Sequence, residues 1–157
     1  MYKKIDDFQL ETTVRRLLYH DKRLSCATCL LDIAVFNGDL LIAGHVNTIA
    51  LREEVYSRLT SSGLGYRRLF KRLSVDAAPA NAVLDAWITT SINSQLVMDS
   101  EIDPHAFKIL TSDQVVYLMG DVLPYQAERV VNLARNTDGV RYVVKLLRYF
   151  RVTESNP

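Results

Sequence analysis

Leu41-Ile42-Ala43-Gly44-His45-Val46 and Tyr117-Leu118-Met119-Gly120-Asp121-Val122 are one phrase written twice: an apolar run, then Gly, a polar residue and Val. At equal distance downstream each meets another glycine, in Gly63-Leu64-Gly65-Tyr66 and in Gly139-Val140-Arg141-Tyr142. Upstream, Leu10-Glu11-Thr12-Thr13-Val14 with Leu18 and Asp21 answers Ile88-Thr89-Thr90-Ser91-Ile92 with Leu96 and Asp99. The strand phrases are offset by 76 positions and the leading helices by 78. The first copy therefore carries about two extra residues between helix and strand, an ordinary loop change. Such a duplication sets the number of folding units at two.

Residues 8 to about 20 place Phe8, Leu10, Val14, Leu17 and Leu18 at helical spacing, with Arg15 and Arg16 outside. Leu31 to Phe36 and Leu40 to Ala43 form strands around Asn37-Gly38, the strongest short hairpin signal. Asn47 or Thr48 caps a second helix holding Ile49, Val55 and Leu59, which ends at Ser61-Ser62-Gly63. A strand from about Tyr66 to Val75 closes the unit. The second copy has a helix from about Leu84 to Met98, strands over 106–110 and 115–119, Pro124 in the first turn of a helix, and a last strand from Tyr142 to Val152. Two helices on one face of a small three-stranded mixed sheet make an α+β unit, helix-strand-strand-helix-strand. The expected organisation is a first domain over 8–75, a linker over 76–83 and a second domain over 84–152.

Composition fits two small folded units. With 48% hydrophobic and 24% charged residues in 157, the chain has the balance of a folded globular protein. Residues 1–75 hold 12 Lys and Arg against 8 Asp and Glu, and residues 76–157 hold 7 against 10. A basic half and an acidic half argue against the concentrated basic face that nucleic acid requires. No apolar stretch approaches the ~20 residues that cross a bilayer. Met1-Tyr2-Lys3-Lys4-Ile5-Asp6-Asp7 has no apolar signal core, which leaves a cytoplasmic protein or an export signal lying ahead of this numbering.

The order of elements, the Gly-x-Val after each hairpin and the Gly-Val at 139–140 resemble the BON domain, named for bacterial osmotic-stress and nodulation proteins. The second copy carries the resemblance best, in Asp85-Ala86-Trp87-Ile88-Thr89-Thr90, Ser94-Gln95-Leu96 and Val116-Tyr117-Leu118-Met119-Gly120. Two tandem copies are similar to dual-BON periplasmic proteins. The resemblance implies a non-enzymatic envelope protein that binds anionic phospholipid through the first helix of the second copy, at the periplasmic face of the outer membrane. It also implies a part in envelope integrity. Lipoproteins of that type carry an acylated cysteine at the mature amino terminus, which this sequence does not display.

The helix itself points the same way without the resemblance. Ile88, Ile92 and Leu96 recur every fourth residue as a core stripe, and at ~100° per residue Trp87 falls roughly 140° from its centre. From Ala86 to Met98 there is no charged residue, so the far side is Trp87, Thr90, Ser91, Ser94, Val97 and Met98. Surface helices ordinarily put charge opposite the core. Trp87, Ile88, Thr90, Ser91, Ser94, Val97 and Met98 are therefore the candidate contact residues, for a membrane surface or for a protein. The protein alternative is a structural subunit or accessory protein of an envelope assembly, such as a secretion system or an outer-membrane-protein assembly complex, or packing of this face against the sister domain or a neighbouring subunit of an oligomer. Anionic attraction would fall to Arg141, Lys145 and Arg148 and, in the first half, Arg67, Arg68, Lys71 and Arg72, at up to ~1 kcal/mol each.

Other constellations are weaker. Cys26-Ala27-Thr28-Cys29 has the spacing of a redox pair or half a zinc site, but a zinc site needs about four ligands and no second pair exists. Idle thiols and a local disulfide in an oxidising compartment are the two readings that remain. His20, His45 and His105 are scattered singly, and Asp99, Glu101 and Asp103 fall in a helix-to-strand loop. No phosphate loop, nucleophile elbow or metalloprotease signature occurs. The expectation is no catalysis, no cofactor and no resident metal.

Overall fold

The computed structural model describes residues 4–76 and 79–150, which divide into two compact units between Asn81 and Ala82. The first contains α1 (Lys4–Leu18), a short 3-10 turn (Lys22–Ser25), β1 (Leu30–Phe36), β2 (Asp39–Val46), α2 (Ile49–Ser61) and β3 (Leu69–Val75). The second contains α3 (Ala82–Met98), a 3-10 turn (Pro104–Ala106), β4 (Phe107–Ser112), β5 (Val115–Val122), α4 (Pro124–Arg135) and β6 (Tyr142–Tyr149). Each has a three-stranded sheet, in order β1-β2-β3 and β4-β5-β6. The first pair in each sheet is antiparallel and the second parallel. A parallel neighbour needs a crossover, and α2 and α4 supply it. The fold is α+β, built from two units of one helix-strand-strand-helix-strand order.

The leading helices bury equivalent residues. Leu10, Val14 and Leu18 of α1 face the first core, and Ile88, Ile92 and Leu96 of α3 face the second. Phe8, expected on the same stripe, is exposed, since it lies ~200° around the helix from Leu10. In α2 the core residues are Leu51, Val55 and Leu59, while Ile49 sits at the solvent-facing first position. Thr48 is the cap, its hydroxyl accepting the Leu51 N–H at 3.1 Å.

The duplicated glycines are explained by close approach. A Cβ on Gly44 would stand 2.1 Å from the Leu30 carbonyl oxygen, and one on Gly120 2.5 Å from that of Ala106. In both units the chain entering the first strand crosses directly over this point, and any side chain would push it away.

Both hairpins are held from a distance by the leading helix. The Asp7 carboxylate accepts the backbone N–H groups of Asn37 and Gly38, each at 2.8 Å. Asp85, on the same 78-residue offset, accepts those of Asp113 at 3.0 Å and Gln114 at 2.8 Å. Asn37 and Gly38 have φ of 49° and 82°, and Asp113 and Gln114 have 53° and 64°. The doubly left-handed turn is the one that matches strand twist, and the second hairpin makes it with no glycine.

Two strand ends differ from expectation. Before β3, the Arg67 N–H turns back to the Gly38 carbonyl at 2.7 Å, so the regular ladder starts at Leu69 instead of Tyr66. The β6 ladder ends at Tyr149, and Phe150 N–H still reaches the Val122 carbonyl at 3.1 Å. The expected continuation to Val152, and Ala77 and Ala78 of the expected linker, lie outside the described residues.

Candidate functional site

Helix α3 runs from Ala82 to Met98 with its only charge, Asp85, turned inward to the hairpin. Opposite the core stripe, Val83 is 81% exposed, Trp87 50%, Val97 70% and Met98 85%. Thr90 and Ser94 are exposed between them. Spacings of four, three, four and three residues run Val83, Trp87, Thr90, Ser94 and Val97 up one side of the helix. A shallow depression of about 500 Å³ lies along this side, lined by Thr90, Asn93, Ser94, Val97 and Met98.

Ile88 does not belong to this surface. Its side chain is wholly buried in the core, because it shares the four-residue stripe with Ile92 and Leu96. Ser91 is partly buried, at the margin of the face. The flanks of the helix are fixed by polar contacts: the Thr89 hydroxyl donates to Thr111 Oγ1 at 2.8 Å, and Gln95 Nε2 donates to Thr137 Oγ1 at 3.1 Å. These bonds set the rotation of α3 and hold its apolar side outward. Val83 joins this side although it lies ahead of the uncharged run from Ala86 to Met98, because it stands one turn before Trp87.

The cations named for anionic attraction are unevenly committed. Arg67 and Arg68 both bind Asp39, at 3.3 and 2.5 Å, and Arg148 lies 3.7 Å from Asp121. Lys71 lies over the Tyr56 ring and Arg141 over the Tyr142 ring, at 5.4 and 5.8 Å from the centroids. These two keep their net charge. On α3 itself there is none, so its contribution to any contact is uncharged, from apolar side chains and the hydroxyls between them.

Cys26 and Cys29 are joined in a disulfide, closing the loop between the first 3-10 turn and β1. Beside it, Asp21 accepts from Arg23 at 2.7 Å and from Arg58 at 2.5 Å, and Glu54 binds both guanidiniums. The Arg23 hydrogen bond, with that of Arg58, holds the Asp21 carboxyl far below the usual carboxylate range, and Arg23 also lowers Glu54. In the second unit Arg129 bonds Asp99 at 2.6 Å and lowers it likewise. These clusters tie helices to loops. Among the described residues, no group of three or more His, Cys, Asp and Glu could hold a metal ion, and no helix is long and apolar enough to cross a membrane.

A family model, the BON domain, matches residues 84–149. The 21 kDa hemolysin of Actinobacillus pleuropneumoniae is 29% identical over 148 residues, which are 93% of this chain and 75% of that protein. The outer membrane lipoprotein DolP of Haemophilus influenzae is 25% identical over 148 residues, 93% of this chain and 76% of that protein. Among solved structures, CdsD, a structural protein of the type III secretion system of Chlamydia trachomatis, aligns over 93% of this chain and 94% of its own, with a TM-score of 0.38 and 11% identity. The matched span coincides with the unit that carries the exposed side of α3.

Proposed function

We propose that this chain, whose residues 84–149 form a BON domain, is a non-enzymatic envelope protein that binds anionic phospholipid at the periplasmic face of the outer membrane. The observation that carries the reading is the uncharged side of α3, with Val83, Trp87, Val97 and Met98 exposed together. The similarity to DolP, an outer membrane lipoprotein, supports the location. Residues 8–75, with the same element order, are read as a first BON domain, and the segment between it and α3 as the linker.

A bilayer interface suits such a side chemically. Trp sets an apolar body and one N–H donor at headgroup level, and Thr90 and Ser94 offer hydroxyls to the same layer. Trp87 is half exposed, and burying the remainder of an indole at ~25 cal/mol per Å² contributes about 2–3 kcal/mol. Attachment by this helix is therefore weak and reversible. Anionic selectivity comes from cations elsewhere on the chain, such as Lys71, Arg72, Arg141 and Lys145, and is screened by salt.

Co-sedimentation with phosphatidylglycerol-containing and purely zwitterionic vesicles tests the reading. The expected outcome is binding to the anionic vesicles that weakens with salt, and a loss of about tenfold or more in Trp87→Ala with its melting curve retained. Equal binding by wild type and Trp87→Ala would move the lipid site off α3. Absence of vesicle binding, with a stoichiometric envelope protein captured through the same helix, would replace this reading by that of an assembly subunit.

A further inference from the structure

The two units part company at one place where the duplication would make them alike. In the first, Tyr56 of α2 packs against the core, and its hydroxyl accepts the Leu73 N–H at 2.9 Å while donating toward the Leu73 carbonyl at 3.4 Å. Lys71 lies over the ring. Strand β3 is an edge of its sheet, so Tyr56 seals the middle of an open edge with groups from its own unit.

In the second unit Asn132 stands where Tyr56 does and Ala127 where Leu51 does, on the 76-residue offset. Leu147 takes the place of Leu73, since β2 pairs Gly44 with Leu73 and β5 pairs Gly120 with Leu147. Instead of a tyrosine ring there is a groove of about 630 Å³ between α4 and β6. Buried Ala127 and Val131 line it, with exposed Asn132, Arg135, Lys145 and Tyr149.

Among the described residues no further strand pairs with β6, the edge of its sheet. Phe150 directs its N–H to β5, and in a parallel ladder alternate residues face alternate sides, so Val143, Lys145, Leu147 and Tyr149 turn amide and carbonyl outward. Such an edge is a template for another strand. Its charge is specific as well. The side chains of Arg135 and Lys145 have no hydrogen bond or ion pair among the described residues, against the single carboxylate of Glu128 in the groove. Arg141 stands just ahead of the strand, in a half of the chain whose balance is acidic.

We infer that the β6 edge and its groove bind an extended, acidic segment of a partner protein. The segment adds as a fourth strand, satisfies the outward amides, and sets an aromatic side chain where the first unit keeps Tyr56. Main-chain bonds supply affinity and the groove supplies specificity, as in other strand-addition complexes. This surface has no lining residue in common with the α3 side, shares only the cations Arg141 and Lys145 with the lipid reading, and stands whether or not lipid binds at α3.

The test is panning of a random peptide display library over the full chain and, in parallel, over Asn132→Tyr, which restores the plug of the first unit. Asn132 is exposed, so the variant is expected to keep the wild-type melting curve. Expected are acidic, aromatic-containing peptides on the wild type, bound at least tenfold more weakly by Asn132→Tyr, with slowed amide exchange at Leu147 in the complex. Lys145→Glu, an independent surface variant, is expected to lose the preference for acidic sequences. No enrichment, or the same enrichment on Asn132→Tyr, overturns the proposal. So does a dimer that Asn132→Tyr dissolves, which assigns the groove to a second copy, or phosphatidylglycerol vesicle binding lost in Asn132→Tyr, which assigns it to lipid.

Discussion

Asp85 is a carboxylate almost wholly out of solvent, yet it meets no cation in the contacts described; it is bonded to two backbone amides of a turn 28 and 29 positions away. Its removal leaves those amides unsatisfied in a turn whose central residues, Asp113 and Gln114, both hold positive φ without glycine. Hydrogen bonds to a charged group contribute about 1.5–3 kcal/mol each, so loss of the two in Asp85→Ala is expected to lower the unfolding free energy by about 3 kcal/mol or more, measured by urea titration. Asp7→Ala should cost clearly less, because Asn37-Gly38 favours the same turn unaided. Equal losses in the two variants would refute this account of the turns. The contrast also marks how far the sequence could be read. Asn37-Gly38 announces its hairpin locally, whereas the Asp113-Gln114 turn is imposed by a tertiary contact that no window around it contains. Phe8 and Ile49 fail for a related reason: apolar residues at a helix start match a periodic pattern, but their rotation about the axis leaves them in water.

In α3 the pattern is more legible, because a run without charge on the far side of a well-marked core stripe is visible without coordinates. The fold adds the rotation, fixed by Thr89 and Gln95, which removes Ile88 from the contact side and adds Val83. The groove beside α4 had no such signal. It exists because Asn132 and Ala127 are smaller than the residues the duplication places opposite them, and only the first unit's Tyr56 shows what fills it. For α3 the lipid reading gives a sharp expectation at Val97, which is well exposed. Val97→Asp should leave stability within about 0.5 kcal/mol, as surface changes do. It should also reduce binding to phosphatidylglycerol vesicles by more than tenfold, since it sets a carboxylate into an apolar, anionic interface. Val97→Leu should bind at least as well as wild type. If the aspartate variant sediments with vesicles undiminished, the membrane does not meet this side of the helix.

Across the whole chain the duplication extends to the way each unit ties its first helix to its second. Asp21 follows α1 and bonds Arg58 of α2; Asp99 follows α3 and bonds Arg129 of α4. The two aspartates share the 78-residue offset, so the motif was legible, but the arginines do not align and only the folded units reveal them as partners. Both carboxyls are held below their ordinary value of 3.8 by guanidinium hydrogen bonds, from Arg23 first at Asp21 and from Arg129 at Asp99. Glu54 is likewise held below 4.5. A depressed carboxyl is charged in both folded and unfolded chains above its ordinary value, so its contribution is complete there. As the pH falls past that value, the unfolded chain takes up protons first, and the contribution is lost progressively toward the lower folded value. Unfolding free energy is therefore expected to be nearly flat in this respect from pH 7 to about 5 and to decline below about 4.5. The pairs are at the surface, so the decline is modest and weakened by salt. The Arg23→Gln, Arg129→Gln double variant should show a shallower acid slope than wild type in urea titrations from about pH 7 to 3. An unchanged slope would mean that the acid response of the two units lies in other carboxylates, and that these shared ties position helices without storing charge-dependent stability.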